Sequence, residues 1–148
     1  MSGQFEAEVE IDRPIEHVFE FLADGENDPK FSPRVLAIKK TTGGPTSVGT
    51  VYRSVVKDAG MKTRREFRIT TYSPPTRIRW EETSKNLITG AEGGYDLTPL
   101  PDGHTQLRVY NVLEGHGVGK LLEGIAVGAA RKDADAFARR IKTAVEAD

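Results

Sequence analysis

The chain contains no cysteine. That excludes disulfides, zinc–thiolate centres and a thiol nucleophile, and it suits a reducing, cytoplasmic setting. No run of about 18 consecutive apolar residues occurs, so no helix is expected to span a bilayer or insert in one. Residues 1–10 have neither a basic start nor an apolar stretch, so they do not read as a secretory signal. An excess of one charge is missing too. Twenty-one Lys and Arg face 22 Asp and Glu, for a net charge of -1, so no global field draws the chain to nucleic acid. There is no internal repeat and no low-complexity tract. Fifteen glycines and eight prolines are scattered as punctuation rather than pooled in a linker. A length of 148 residues suits one domain, 1–148, with a real core.

What is present is a change of period along the chain. Phe5, Ala7, Val9 and Ile11 alternate with Glu6, Glu8, Glu10 and Asp12, the pattern of a half-buried strand with an acidic outer face. Pro14 then opens a short helix, with Ile15, Val18, Phe19 and Leu22 on one side. Residues 24–29 break it, and a further short turn of helix can run to Phe31. Strands are expected at 35–40, 50–57, 63–72, 77–83, 88–97 and 105–113. They are separated by a Gly/Pro/Ser/Thr loop at 41–49, by a hairpin turn at Asp58-Ala59-Gly60, and by turns at Ser73-Pro74-Pro75, Ser84-Lys85-Asn86 and Pro101-Asp102-Gly103. Connections of hairpin length make the sheet antiparallel. Gly90, Gly93 and Gly94 predict curvature or a bulge. From 119 to 146 apolar residues recur at three- and four-residue steps with no proline, which predicts a helix roughly 40 Å long. The fold class is α+β: a curved antiparallel sheet of about seven strands, two short helices after the first strand, and a long C-terminal helix over the concave face.

Several motifs invite sharper readings. Residues 114–120 read E-G-H-G-V-G-K, but Glu114 stands where a phosphate loop needs glycine and Leu121 where it needs Ser or Thr. A flexible strand-to-helix turn is the better reading. His17, His104 and His116 lie on different elements, none at the i, i+4 spacing of a zinc site, so no metal is expected. Lys57, Lys62, Arg64, Arg65, Arg68, Arg77 and Arg79 form a basic region. Alternation places most of it on the solvated face, beside partners such as Glu66 and Glu81.

The opposite, inner face carries Phe67, Ile69, Ile78, Trp80, Tyr95, Leu107 and Val109, with Arg65, Glu82 and Asn111 polar in the same phase. A buried charge is costly unless paired. The plain reading is an Arg65–Glu82 pair. The functional one is a pocket with apolar walls and a few convergent polar groups.

Element order and local patterns resemble the START-like (SRPBCC, helix-grip) superfamily, in particular its polyketide cyclase/dehydrase branch. The residues that carry the resemblance are 9–19 (V-E-I-D-R-P-I-E-H-V-F), Phe31-Ser32-Pro33, Gly49-Thr50-Val51-Tyr52-Arg53, residues 74–80 (P-P-T-R-I-R-W), residues 95–99 (Y-D-L-T-P), residues 102–105 and residues 141–146. The resemblance implies a hydrophobic ligand, such as a lipid, quinone or polyketide, between sheet and terminal helix, with no metal or cofactor. An aromatase/cyclase activity in the same cavity is the alternative, with Arg65, Glu82 and Tyr95 as candidates for enol stabilisation and proton transfer. Binding without chemistry is preferred, because no residue trio demands catalysis. A protein-interaction module would need a large exposed apolar patch, and alternation predicts none.

At 100° per residue, Leu122, Ala129, Asp133 and Arg140 fall at the centre of the terminal helix's apolar face, flanked by Ile125, Ala126, Ala136 and Phe137. Leu122, Ala126, Ala129, Asp133 and Phe137 are therefore expected to line the pocket, with Asp133 as a polar contact inside it. Arg140 is expected to reach solvent.

Overall fold

Seven strands make one antiparallel sheet in the computed structural model, in the order β1-β7-β6-β5-β4-β3-β2. The structure describes residues 2–58 and 60–148. Ala59, the middle of the expected 58–60 turn, and Met1 lie outside the described residues. The strands are β1 (Ser2–Ile11), β2 (Val35–Lys40), β3 (Val51–Asp58), β4 (Met61–Ser73), β5 (Arg77–Glu82), β6 (Ile88–Pro99) and β7 (Thr105–Gly115). Helix α1 (Ile15–Ala23) and a 3-10 helix (Gly25–Lys30) follow β1, and α2 (Gly119–Ala147) closes the chain. No helix among the described residues is long and apolar enough to cross a membrane.

Each element follows from its pattern. On β1, Ala7 and Ile11 are buried and Phe5 and Val9 half-buried, while Glu8 and Glu10 do not enter the core. Helix α1 buries Ile15, Val18, Phe19 and Leu22 together with Phe21. Asp24 ends it and caps the 3-10 helix, its carboxylate accepting from Glu26 N at 3.0 Å. The expected irregularity in β6 is a register shift between Gly90 and Glu92. A second shift lies between Ile69 and Thr71 in β4. These bulges bend the long strands and make the inner face concave.

Trp80 fixes the purpose of one glycine. A Cβ at Gly93 would run into the indole of Trp80, its cross-strand neighbour. Trp80 is the only tryptophan. Gly93→Ala is therefore expected to displace the ring and cost about 1–3 kcal/mol. A shift of the emission maximum together with a lowered urea midpoint would show it; unchanged emission would refute it.

The terminal helix departs from expectation in orientation. Its buried residues are Gly119, Val127, Ala134, Ala138, Ile141 and Val145. The centre of that seam lies roughly 130° around the helix from the Leu122–Ala129–Asp133–Arg140 line, counting 100° per residue. The cause is where the helix lies. It packs chiefly on β1 and β7, at one side of the sheet, and close approach there favours small side chains. Val127 sits against Gly3, where an added Cβ would come within 2.6 Å of it.

Candidate functional site: the concave face

Strand register gathers the inner-face residues. Ser54 pairs with Arg65, Phe67 with Glu82, Ile69 with Trp80, Ile78 with Tyr95, and Gly93 with Asn111. Ile69, Ile78, Tyr95, Leu107 and Val109 are buried and form part of the hydrophobic core. Towards the β3–β4 hairpin, Phe67, Trp80 and Leu113 are only half-buried. Helix α2 covers the β1–β7–β6 side of the sheet. The inner faces of β4 and β5 thus continue past the part of the sheet that α2 covers. Trp80 and Tyr95 meet there, ring centroids 4.9 Å apart at 59°.

The polar residues of the same phase cluster at the hairpin end. Arg65 Nη1 donates to both carboxylate oxygens of Glu82, at 3.0 and 3.2 Å, and to Ile88 O at 2.9 Å. Glu82, with 1% of its side chain exposed, also accepts from Ser84 Oγ at 2.6 Å, Asn86 Nδ2 at 2.8 Å and Gly90 N at 2.9 Å. Its lone pairs are occupied, so it is placed to anchor Arg65 rather than to take a proton. Arg65 Nε and Nη2 make no hydrogen bond among the described residues; Nη2 stands 3.9 Å from Asp58. Around this pair, Ser54 Oγ, Thr63 Oγ1 and Asn111 Oδ1 are buried without partners. A buried polar atom left unpaired is destabilising, and three close together call for an explanation.

Two further groups modify the wall. Burial pushes the Tyr95 hydroxyl well above its ordinary range, and the carboxylate of Asp28 adds to the effect. Asp28 itself, on the 3-10 helix, is pushed up to about 7, chiefly by burial and then by the charge of Asp24. A carboxyl poised near neutrality can exchange protons, whereas a tyrosine raised this far stays neutral.

The helix residues expected in the site are distributed differently. Phe137 is half-buried and packs on Phe31, centroids 5.8 Å apart. Ala126 is half-buried, while Leu122 and Ala129 are exposed. Asp133 points to solvent and pairs with Arg140 at 2.9 Å, which corrects the expectation of a polar contact inside the pocket. The arginine holds its carboxyl below the usual range. Arg140 is itself half-buried and also donates to Phe31 O at 3.1 Å. The reason is again the rotation of α2 about its axis.

Asp28, Ser54 and Thr63 were missed in the sequence. Ser54 and Thr63 are in phase with Arg65 across the β3–β4 hairpin, so alternation carried the signal. Asp28 lies in an aperiodic Asp-Pro segment that carries none. The outer face is a lattice of ion pairs. Arg79 meets Asp96 at 2.7 Å, Arg108 meets Asp96 at 3.0 Å and Glu6 at 2.7 Å, and Arg68 meets Glu81. Depressions of about 320 Å³ beside Arg77 and Asp96 and about 310 Å³ beside Glu20 and Lys40 lie away from Arg65, Phe67 and Trp80. His116 Nε2 lies 2.8 Å from Thr89 Oγ1 and ties the β7–α2 turn to β6. Glu10, Asp102 and His104 hold ligand-type atoms within 4.8 Å of one another. They sit at the surface, and His104 is engaged in ion pairs with Glu10 at 2.7 Å and Asp12 at 2.6 Å.

Similar folds occur among solved structures. An aromatase/cyclase from a Streptomyces species superposes with a TM-score of 0.81 at 17% identity, over 99% of this chain and 94% of its own. A protein from Thermus thermophilus gives 0.79 at 19% identity, over 97% of each chain. A START superfamily protein from Mycobacterium smegmatis gives 0.72 at 16% identity, over 97% of this chain and 94% of its own. At such identities the likeness is one of fold. In sequence, no curated protein matches the chain. The family profile for polyketide cyclase/dehydrase and lipid transport matches residues 2–146. With the helix-grip order of its elements, this match places the chain in the polyketide cyclase/dehydrase and lipid transport family.

Proposed function

We propose that the chain binds a small or medium hydrophobic molecule of lipid, quinone or polyketide type in the groove between the concave sheet and α2. The observation that carries this reading is the composition of the inner face. An aromatic and aliphatic wall, Phe67, Trp80, Tyr95 and Ile69, ends in a polar cluster with unused hydrogen-bonding capacity. Arg65 Nε and Nη2 would donate to a carbonyl or hydroxyl oxygen of the ligand. Asn111 Oδ1 would accept from a hydroxyl. The ligand is then an apolar body with one oxygenated end, oriented with that end towards the β3–β4 hairpin.

The test is recovery and titration. Solvent extraction of the purified chain followed by mass spectrometry should yield a lipophile. Titration with lipids, quinones and aromatic polyketides should change Trp80 fluorescence saturably, and Asn111→Leu should weaken the oxygenated ligands about ten-fold, the loss of one buried hydrogen bond. No recovered lipophile and no saturable change with any class would overturn the reading.

A second reading, a cyclase-type enzyme in the same groove, is favoured by one observation: the Asp28 carboxyl at about 7. It could shuttle protons on an enolisable ligand, with Arg65 holding the enolate oxygen. Chemical change of a bound poly-ketone, lost in Asp28→Asn with affinity retained, separates it from simple carriage.

A further inference from the structure

The sequence predicts no large exposed apolar patch, yet among the described residues six of the eight large apolar side chains that are exposed belong to one end of the molecule. They are Met61 on the β3–β4 hairpin, Leu87 in the β5–β6 loop, and Val118, Leu121, Leu122 and Ile125 at the start of α2. The three segments are tied together. His116 N donates to Leu87 O at 2.8 Å, Ile88 pairs with Gly115, and Arg65 links Ile88 O to the hairpin's Asp58. On the helix the four residues fall at i, i+3, i+4 and i+7, a single stripe turned away from the buried seam through Val127. Leu121 is 83% and Ile125 73% exposed. A helix that keeps a regular apolar stripe in water has a partner for it.

Charge at this end identifies the partner. Lys57, Lys62, Arg64, Lys85 and Lys120 are all exposed. Among the described residues none has a carboxylate within ion-pair distance, whereas Arg53, Arg68, Arg77 and Arg108 elsewhere on the sheet are all paired. Lys57 and Lys62 even oppose each other across the hairpin, which is unfavourable in isolation. Of the carboxylates nearby, Glu114 lies 3.9 Å from His116, and two others are engaged. Asp58 meets Arg34 at 2.6 Å, and Glu123 accepts from Gly115 N at 3.0 Å. A chain of net charge -1 thus gathers unpaired cations around its apolar end.

We propose that this end docks on a bilayer surface bearing anionic headgroups. The α2 stripe, with Met61 and Leu87, enters the boundary between headgroups and acyl chains, and the five cations face the phosphates. A second copy is a poorer occupant, because it would bring like cations together. The surface adjoins the mouth of the groove, but docking does not require the groove to hold a ligand.

Flotation of the full chain with vesicles tests this. Phosphatidylcholine vesicles containing phosphatidylglycerol should carry the protein, pure phosphatidylcholine vesicles should not, and added salt should release it. Leu121→Glu and, separately, Ile125→Glu should reduce recovery about ten-fold or more. Each of Lys57→Glu and Lys62→Glu should reduce it by about five-fold or more. These side chains are exposed, so far-UV circular dichroism should remain unchanged. Absence of binding to the anionic vesicles overturns the proposal. So does a folded Leu121→Glu that binds like the wild type. Sedimentation showing that Leu121→Glu converts a dimer to a monomer would assign the stripe to a second copy and also overturn it. Vesicle binding reads docking, and lipophile recovery reads the groove, so either can fail alone.

Discussion

Replacing Asp28 by Asn is expected to stabilise the protein at neutral and higher pH and to leave it almost unchanged in acid. The native carboxyl titrates at about 7, against an ordinary 3.8. Between those values the folded chain holds a proton that the unfolded chain has released, so stability falls as pH rises across that window and is level on either side. The shift spans about three units at about 1.4 kcal/mol each, which sets a ceiling of about 4 kcal/mol. Asparagine has the shape of the protonated acid and cannot ionise. The variant should therefore match the wild type near pH 4 and exceed it by up to that amount near pH 8, as urea unfolding at the two pH values would read. Equal effects at both ends would mean that Asp28 is not desolvated. The same experiment bears on function. A carboxyl kept at a cost to stability is a candidate for proton exchange, since such strain concentrates at working sites.

How much of this was legible depended on the period of each element. Strand residues alternate with period two, so once Trp80 was placed inside, Ile78 and Glu82 followed, and Arg65 and Asn111 followed by the same count. The bulges at residues 70 and 91 each shift the phase of their own strand by one, but they did not spoil the assignment, because Arg65, Phe67 and Ile69 all precede the first and Tyr95 follows the second. The terminal helix was different. Leu121, Leu122 and Ile125 weighted the apparent apolar face, and those residues serve the surface rather than the core. The true seam of Ala134, Ala138, Ile141 and Val145 is built partly of alanine, which adds little to a hydrophobic count. Its selection comes from close packing on β1, a tertiary fact absent from local sequence. Asp28 was illegible for a related reason. A 3-10 turn has no repeating face, and only the return of the chain under the sheet desolvates that carboxyl.

Glu82→Ala is expected to be the most damaging single change among the inner-face residues. It would leave the Arg65 guanidinium, 15% exposed, without its counter-charge and strip acceptors from Gly90 N, Ser84 Oγ and Asn86 Nδ2. Breaking one partner of a buried pair costs about 3–5 kcal/mol. For a chain of 148 residues that lowers Tm by about 10 °C. Removing both charges should be far milder. Arg65→Met combined with Glu82→Leu keeps the volume and ends the need for pairing, and such replacements are often neutral or stabilising. A double-mutant cycle would therefore show strong coupling, and additive losses would refute the pairing argument. The cycle also separates structure from function. If the pair exists only to satisfy itself, the double variant should fold and bind lipophiles as before. If Arg65 is held by Glu82 so that Nε and Nη2 face the groove, the double variant should fold, retain purely apolar ligands and lose preference for oxygenated ones. Retained stability with lost selectivity is the outcome expected here, because Ser54, Thr63 and Asn111 leave unpaired oxygens beside that arginine, and a self-contained ion pair would give them no reason to be there.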